Sequence, residues 1–163
     1  MKGDDVMRGR FLYHAARIVL GLIFLFACYD KILHPGEFAE VVYNYRLLPD
    51  SLVNVAATLL PWVELALGLC LMFNVWIPGA VVLGNLLLLA FFSALVFNLA
   101  RGLDVSCGCF STAPGEEAIG YFTVIRDMSF LLVSGYLFYA VLLSGPSAAE
   151  KTGGLRAETE QNR

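Results

Sequence analysis

Four long, mostly apolar runs constrain this chain more than any other feature of its sequence. They cover residues 11–29, 52–73, 77–100 and 121–144. Each run is close to the roughly 20 residues that an α-helix needs to cross the hydrocarbon core of a bilayer. The strands of a membrane barrel would instead be short and alternating, so these continuous runs predict membrane-spanning helices.

The composition agrees with lipid as the solvent for most of the chain. Its 163 residues are 58% hydrophobic and only 15% charged, whereas soluble domains carry about 25% charged residues. So small a domain could not bury that much apolar surface. The 12 Phe and 7 Tyr exclude a disordered chain, and a net charge of −3 provides no basic surface for nucleic acid. The predicted fold class is therefore all-α, an integral membrane four-helix bundle.

The connection between the first two runs, residues 30–51, predicts an additional short helix. His34 and Pro35 interrupt the first helix, and Pro49 ends the new one. One face of this segment is apolar at helical spacing: Phe38, Val41, Val42 and Tyr45. The opposite face is polar: Glu37, Glu40 and Asn44. This pattern is typical of an amphipathic helix lying at a membrane surface, here in the first outer loop.

The distribution of positive charge predicts the orientation of the chain. The two polar tails, residues 1–10 and 145–163, carry six Lys and Arg, against three or four on the opposite side. The positive-inside rule therefore places both termini, including a flexible C-terminal tail, in the cytoplasm. A cleaved signal peptide is the alternative interpretation of the first run, but three more spans follow it and Arg17 interrupts it.

Two cysteines, Cys107 and Cys109, flank a single glycine in the polar loop between the third and fourth runs. Gly108 gives the backbone the freedom to close a small disulfide ring, and a strained ring is more easily reduced. A redox-active pair is one interpretation; two unpaired thiols or part of a metal site are the others. The loop has no further Cys or His, so we expect no metal.

The other two cysteines are expected on opposite sides of the membrane. Cys28 ends the first run and reaches the face that carries the Cys107 loop, whereas Cys70 lies near the inner end of the second run. Cys28 is therefore the candidate third thiol that resolves or relays a disulfide. A small packing residue is an equal alternative for Cys28 and the favoured interpretation of Cys70.

Three charged residues within or beside the runs are further candidates. Arg17 and Glu64 interrupt the first and second runs at depths that we expect to differ by only about 4–5 Å. We predict that they form a buried ion pair, either fixing helix register or serving a proton or quinone role. Arg126 opens the fourth run beneath the Cys107 loop, where it either stabilises a thiolate or anchors the helix at the interface.

Several motifs resemble those of the DoxX-like superfamily of membrane proteins. They are Arg17-x3-Gly21, the stretch from Asp30 to Phe38, and Leu60-Pro61-Trp62-x-Glu64-x3-Gly68. The elements Cys107-Gly108-Cys109-Phe110 and Arg126-Asp127 are similar to those of its MauE branch, the methylamine-utilisation proteins. The resemblance implies a four-helix protein of the bacterial inner membrane that assists maturation of a periplasmic, disulfide-rich client alongside a thioredoxin-like partner. The client in the MauE case is the small subunit of methylamine dehydrogenase.

The expected function is thus thiol–disulfide exchange through a periplasmic loop containing Cys107 and Cys109. Two alternatives remain open at this point. One is a quinone-coupled oxidoreductase subunit, since the DoxX-like superfamily includes a subunit of a thiosulfate–quinone oxidoreductase; quinone is then the cofactor. The other is a non-catalytic assembly subunit in which the two cysteines form a structural disulfide.

Overall fold

The computed structural model describes residues 2–102 and 121–143, and within them the chain is helical, with no β-strand. The elements are α1 (Lys2–Leu33), α2 (Pro35–Asn44), α3 (Asp50–Phe73), α4 (Ile77–Ala100) and α5 (Tyr121–Phe138). A π-helical turn, Tyr139–Leu143, continues α5. The predicted all-α fold class is confirmed.

Four of these helices contain segments that are long and apolar enough to cross a membrane. The segments are Gly9–Leu33, Asp50–Phe73, Ile77–Ala100 and Thr123–Leu142. The chain is therefore a multi-pass membrane protein. The first helix differs from expectation because it begins at Lys2 and runs to Leu33, so it includes most of the segment predicted as a polar tail. The second predicted tail, residues 145–163, lies outside the described residues.

Each long helix packs against two neighbours, in the order α1, α3, α4, α5 and back to α1. The most extensive contact is between α1 and α3. A Cβ atom added at Gly68 of α3 would lie 2.9 Å from Leu25 and 3.1 Å from the carbonyl oxygen of Gly21 on α1. The two backbones thus approach closely where both residues are glycine, as small residues allow in membrane helices. This contact places Gly21 level with Gly68.

The short helix α2 is amphipathic, as predicted, and its apolar face packs on the bundle. Phe38, Val41 and Tyr45 are buried in one cluster with Ala57 of α3 and Leu95 of α4. A second cluster, centred on Leu20, Phe24, Leu67 and Leu71 among others, fills the bundle between α1, α3, α4 and α5. Helix α2 therefore covers the bundle at the end where α1 finishes, which we call the Lys31 end.

Candidate functional site

A buried ion pair between α1 and α3 lies at the Lys31 end. The Lys31 ammonium is 2.7 and 2.9 Å from the two carboxylate oxygens of Glu64. The side chains are only 4% and 3% exposed. Removing two charges from solvent is costly unless their geometry is good, and ionisable groups at membrane depth are functional candidates by default. Lys31, Glu64 and the neighbouring Cys28 are called the Lys31 site below.

Two aromatic rings from other helices complete the surroundings of the ammonium. Lys31 Nζ lies 5.0 Å from the ring centroid of Phe38 on α2 and 5.1 Å from that of Phe91 on α4. Both distances are within the range of a cation–π interaction, which is strongest where water is excluded. Four helices therefore meet at one ammonium group, and α2 covers it.

Cys28 lies one helical turn before Lys31 on the same buried face of α1. Residues three apart on a helix are surface neighbours, and Cys28 is 2% exposed. Its thiol donates a hydrogen bond to the Leu25 carbonyl, with a sulfur–oxygen distance of 3.2 Å. Lys31 in turn contacts Glu64. The Gly21–Gly68 approach puts Glu64 about level with Leu25, one turn before Cys28. The fold thus places a nucleophile at the same level as an ion pair of a carboxylate and an ammonium group.

A second group of polar side chains lies at about the same depth in the bundle as the Lys31 site. Its members are Arg126 and Asp127 on α5 and Tyr45 at the end of α2. Asn85 Nδ2 of α4 donates to the Ser134 carbonyl of α5 at 3.1 Å, so these two residues are level. Because α4 and α5 are antiparallel, Asp127, seven residues before Ser134, is about level with Phe91, six residues after Asn85. Arg126 Nε donates to Asp127 Oδ1 at 3.2 Å. Burial, with a further contribution from the Asp127 charge, raises the pKa of Tyr45 to about 12.

The predicted Arg17–Glu64 pair is wrong, because each residue has a different partner in the structure. Glu64 binds Lys31, and Arg17 donates a hydrogen bond from its guanidinium to the side chain of Asn74 at the end of α3. Arg17 Nε is buried and has no hydrogen-bond partner among the described residues. A cation at this position is also favourable because the C-terminus of a helix carries partial negative charge.

The cause of this error is the axial register of α1 against α3. The prediction assumed that residue 11 and Phe73 are level at the inner ends of their spans. The Gly21–Gly68 contact instead brings the end of α3 opposite Arg17. Lys31 lies 14 residues further along α1, about 21 Å at 1.5 Å per residue, and is the residue that reaches Glu64.

The sequence contained a signal for Lys31 that the prediction did not use. Leu20, Phe24 and Lys31 recur at the i, i+4, i+11 positions of one helix face, and all three are buried. Under the positive-inside rule, Lys31 was instead included among the three or four positive charges on the side opposite the tails. Helical periodicity alone would have placed it on the face that packs against the bundle.

Among the remaining residues that the sequence analysis singled out, the structure describes Arg126 and Cys70 but not the two loop cysteines. Cys107 and Cys109 lie outside the described residues, within the segment that joins Gly102 to Tyr121. Arg126 lies near the start of α5, paired with Asp127, and Cys70 is partly buried on α3. Within residues 2–102 and 121–143, no group of three or more His, Cys, Asp or Glu side chains could hold a metal ion.

Comparison with known proteins relates residues 9–140 to the family described as methylamine utilisation protein MauE. The MauE protein of Paracoccus denitrificans is 37% identical over 115 residues, which are 70% of this chain and 61% of that protein. The Methylorubrum extorquens MauE is 39% identical over 119 residues, 72% and 63% of the two chains. The Methylophilus methylotrophus MauE is 32% identical over 123 residues, 75% and 65%. The matched part of this chain thus spans a little under two thirds of the length of these relatives. No solved structure is significantly similar to it.

Proposed function

The chain belongs to the MauE family, and from that premise we propose that it is a membrane thiol–disulfide exchange protein that assists maturation of a periplasmic redox enzyme. Cys107 and Cys109 are its exchanging pair, and Cys28 is the third thiol. The partner is a thioredoxin-like periplasmic protein, and the client is a disulfide-rich protein such as methylamine dehydrogenase. Both termini lie in the cytoplasm, and the Lys31 end faces the periplasm.

One observation carries this proposal: a buried thiol lies beside a buried ion pair at the end of the bundle where α4 finishes and α5 begins. The segment between those helices contains Cys107 and Cys109. Cys28 therefore lies at the end of the bundle where that segment leaves α4 and enters α5. Thiol exchange needs a nucleophile whose ionisation its surroundings control, and Lys31 and Glu64 are charged groups placed to do so.

The proposed exchange conserves atoms and electrons. A thiolate of the partner attacks one sulfur of a Cys107–Cys109 disulfide, that S–S bond breaks, and a mixed disulfide forms. The displaced cysteine leaves as a thiolate and takes up a proton. A second thiol of the partner, as its thiolate, then attacks the mixed disulfide, which leaves the partner with a disulfide and this chain with two thiols. Oxidation of the partner's dithiol is thus matched by reduction of the Cys107–Cys109 disulfide. Attack by Cys28 instead releases the partner unchanged and leaves a disulfide between Cys28 and the loop cysteine.

Trapping of mixed disulfides tests this proposal. In membranes of cells that express the full chain, Cys109→Ser should accumulate a mixed disulfide through Cys107, visible as a reducible band on a non-reducing gel. The double variant C107S/C109S should lose the band. The matched control is Cys70→Ser, since Cys70 lies on α3 away from the Lys31 site, and its bands should equal those of the parent chain.

Two results would contradict the proposal. One is a mixed disulfide that persists unchanged in C107S/C109S. The other is a Cys107–Cys109 disulfide with a reduction potential below about −300 mV, which physiological reductants do not open and which indicates a structural role.

A further inference from the structure

The Lys31–Glu64 pair is electrically balanced, and this balance determines how the neighbouring thiol can ionise. The ion pair holds one positive and one negative charge with almost no solvent contact. If the Cys28 proton left for bulk water, the site would gain a second anion without a second cation, which is costly in a medium of low dielectric constant. If the proton passed to the Glu64 carboxylate, the site would exchange one anion for another and remain neutral.

The surroundings of Lys31 allow it to serve either anion. Its ammonium has three donors, and the carboxylate of Glu64 takes a bidentate pair of contacts at 2.7 and 2.9 Å. Cys28 lies three residues earlier on the same face, within the reach of neighbouring helix side chains. The rings of Phe38 and Phe91 hold the ammonium in place without competing for its donors by hydrogen bonding.

We propose that Lys31 and Glu64 are positioning residues for the Cys28 thiol: Glu64 takes its proton, and Lys31 pairs with the thiolate that results. The thiolate then attacks a disulfide, a new bond joins Cys28 to one sulfur, and the other sulfur leaves as a thiolate. That leaving thiolate takes the proton back from Glu64, which restores the Lys31–Glu64 pair. The co-reactant is a disulfide, and the inference rests on the proposed function only in naming Cys28 as an exchanging thiol.

Both charged groups assist the ionisation of Cys28 in this scheme. Lys31→Gln removes the cation that pairs with the thiolate, so Cys28 should react more slowly. Glu64→Gln removes the group that accepts the Cys28 proton, so Cys28 should again react more slowly. Looser packing alone would instead expose Cys28 and accelerate its reaction in both variants.

The assay uses the full chain in lipid nanodiscs with 4,4′-dithiodipyridine, a small membrane-permeant disulfide. Modification of Cys28 and of Cys70 is followed by mass spectrometry of their peptides over time. Relative to the parent chain, K31Q and E64Q should each slow the reaction of Cys28 by about ten-fold or more. Cys70 serves as the internal control and should change by less than about two-fold, because it lies six residues, about 9 Å along α3, from Glu64 and still further from Lys31.

Conservative variants protect the test against failure of a variant to fold. Lys31→Arg keeps the cation and should restore Cys28 to near the parent rate, and Glu64→Asp keeps the acceptor and should do the same. Arg17→Gln, which removes a charge about 17 Å away along α1, should leave the Cys28 rate unchanged. A Cys28 rate that equals or exceeds the parent rate in either K31Q or E64Q would overturn the inference, as would a failure of K31R or E64D to restore the rate.

The trapping experiment and the Cys28 rates can reject the proposed function and the inference about Cys28 independently. Trapping through Cys107 with no charge dependence at Cys28 would reject the inference and leave the exchange function standing. Slower reaction of Cys28 in both K31Q and E64Q without any trapped partner would support the inference and reject the exchange function.

Discussion

Gly68 is the position at which the packing of α1 against α3 can be tested most directly. In the variant Gly68→Ala, the new Cβ atom would lie 2.9 Å from Cγ and Cδ2 of Leu25 and 3.1 Å from the carbonyl oxygen of Gly21. The Leu25 side chain can adopt another rotamer, but the backbone oxygen can move away only if α1 moves with it. The substitution therefore has to separate the two helices or strain them.

The expected loss of stability is the cost of overpacking the helix contact minus the gain in helix propensity when Ala replaces Gly. Overpacking a well-packed interior costs about 1–3 kcal/mol, while Ala in place of Gly stabilises a helix by about 1 kcal/mol. Gly68→Ala should therefore lower the free energy of unfolding by up to about 2 kcal/mol relative to the parent chain, and by about 1–3 kcal/mol relative to Ala at an unobstructed helix glycine. Gly135 on α5 has no atom within 4 Å of an added Cβ, so Gly135→Ala should equal or slightly exceed the parent chain.

The assay is reversible unfolding of the purified chain by SDS in mixed micelles, followed by circular dichroism and extrapolated linearly to zero denaturant. Gly21→Ala provides an intermediate case, because its Cβ would meet the flexible Met72 side chain at 3.1 Å and the Gly68 oxygen at 3.3 Å. If Gly68→Ala proved as stable as Gly135→Ala, the close approach of α1 and α3 would be refuted. The register that brings Lys31 to Glu64 would lose its support with it.

Three more predictions concern the Lys31 end. Glu64→Ala should lower the free energy of unfolding by about 3–5 kcal/mol because it leaves Lys31 buried without its partner, whereas the apolar double variant K31M/E64L should recover most of that loss. A coupling energy near zero between Lys31 and Glu64, measured by SDS unfolding in a double-mutant cycle, would contradict this. Tyr45 has a pKa of about 12 in the folded chain against an ordinary 10.0, so the fold should lose stability as pH rises from 10 to 12. Tyr45→Phe should remove this part of the pH dependence, and phenolate absorbance of Tyr45 appearing near pH 10 would argue against it. Phe38→Ala removes a buried ring and should loosen α2 by about 3 kcal/mol, so that trypsin cuts at the exposed Arg46 faster; an unchanged cleavage rate would show that Phe38 does not hold α2 down.

Much of the fold could be predicted from local sequence, because membrane insertion is decided by the apolar length of each segment. The runs at 52–73 and 77–100 match α3 and α4 within two residues at each end. Helix α2 was predicted equally well, since Phe38 and Val41 share a face three residues apart and both are buried. The start of α1 at Lys2 was missed, because polar residues can continue a helix beyond the hydrocarbon without any hydropathy signal.

The candidate site was predicted less completely. Cys28 and Glu64 were identified from their residue types and positions, and both belong to the Lys31 site. The partner of Glu64 was assigned to Arg17, since both were charges inside apolar runs and their depths were counted from the ends of those runs. Counting depth in this way treats the inner ends of the first and second runs as level in the membrane, and the sequence within either run cannot test that assumption.

The sequence by itself determined how many helices cross the membrane, where each apolar face lies and which residue types carry chemistry, since these properties depend on segments of about 20 residues or fewer. Only the tertiary structure decided that Lys31 rather than Arg17 neutralises Glu64. The sliding of one helix along another is set by where backbones can approach, and here that point is Gly21 against Gly68. A shift of a few residues in that contact moves every charge on α1 by several ångströms, enough to replace one ion-pair partner with another.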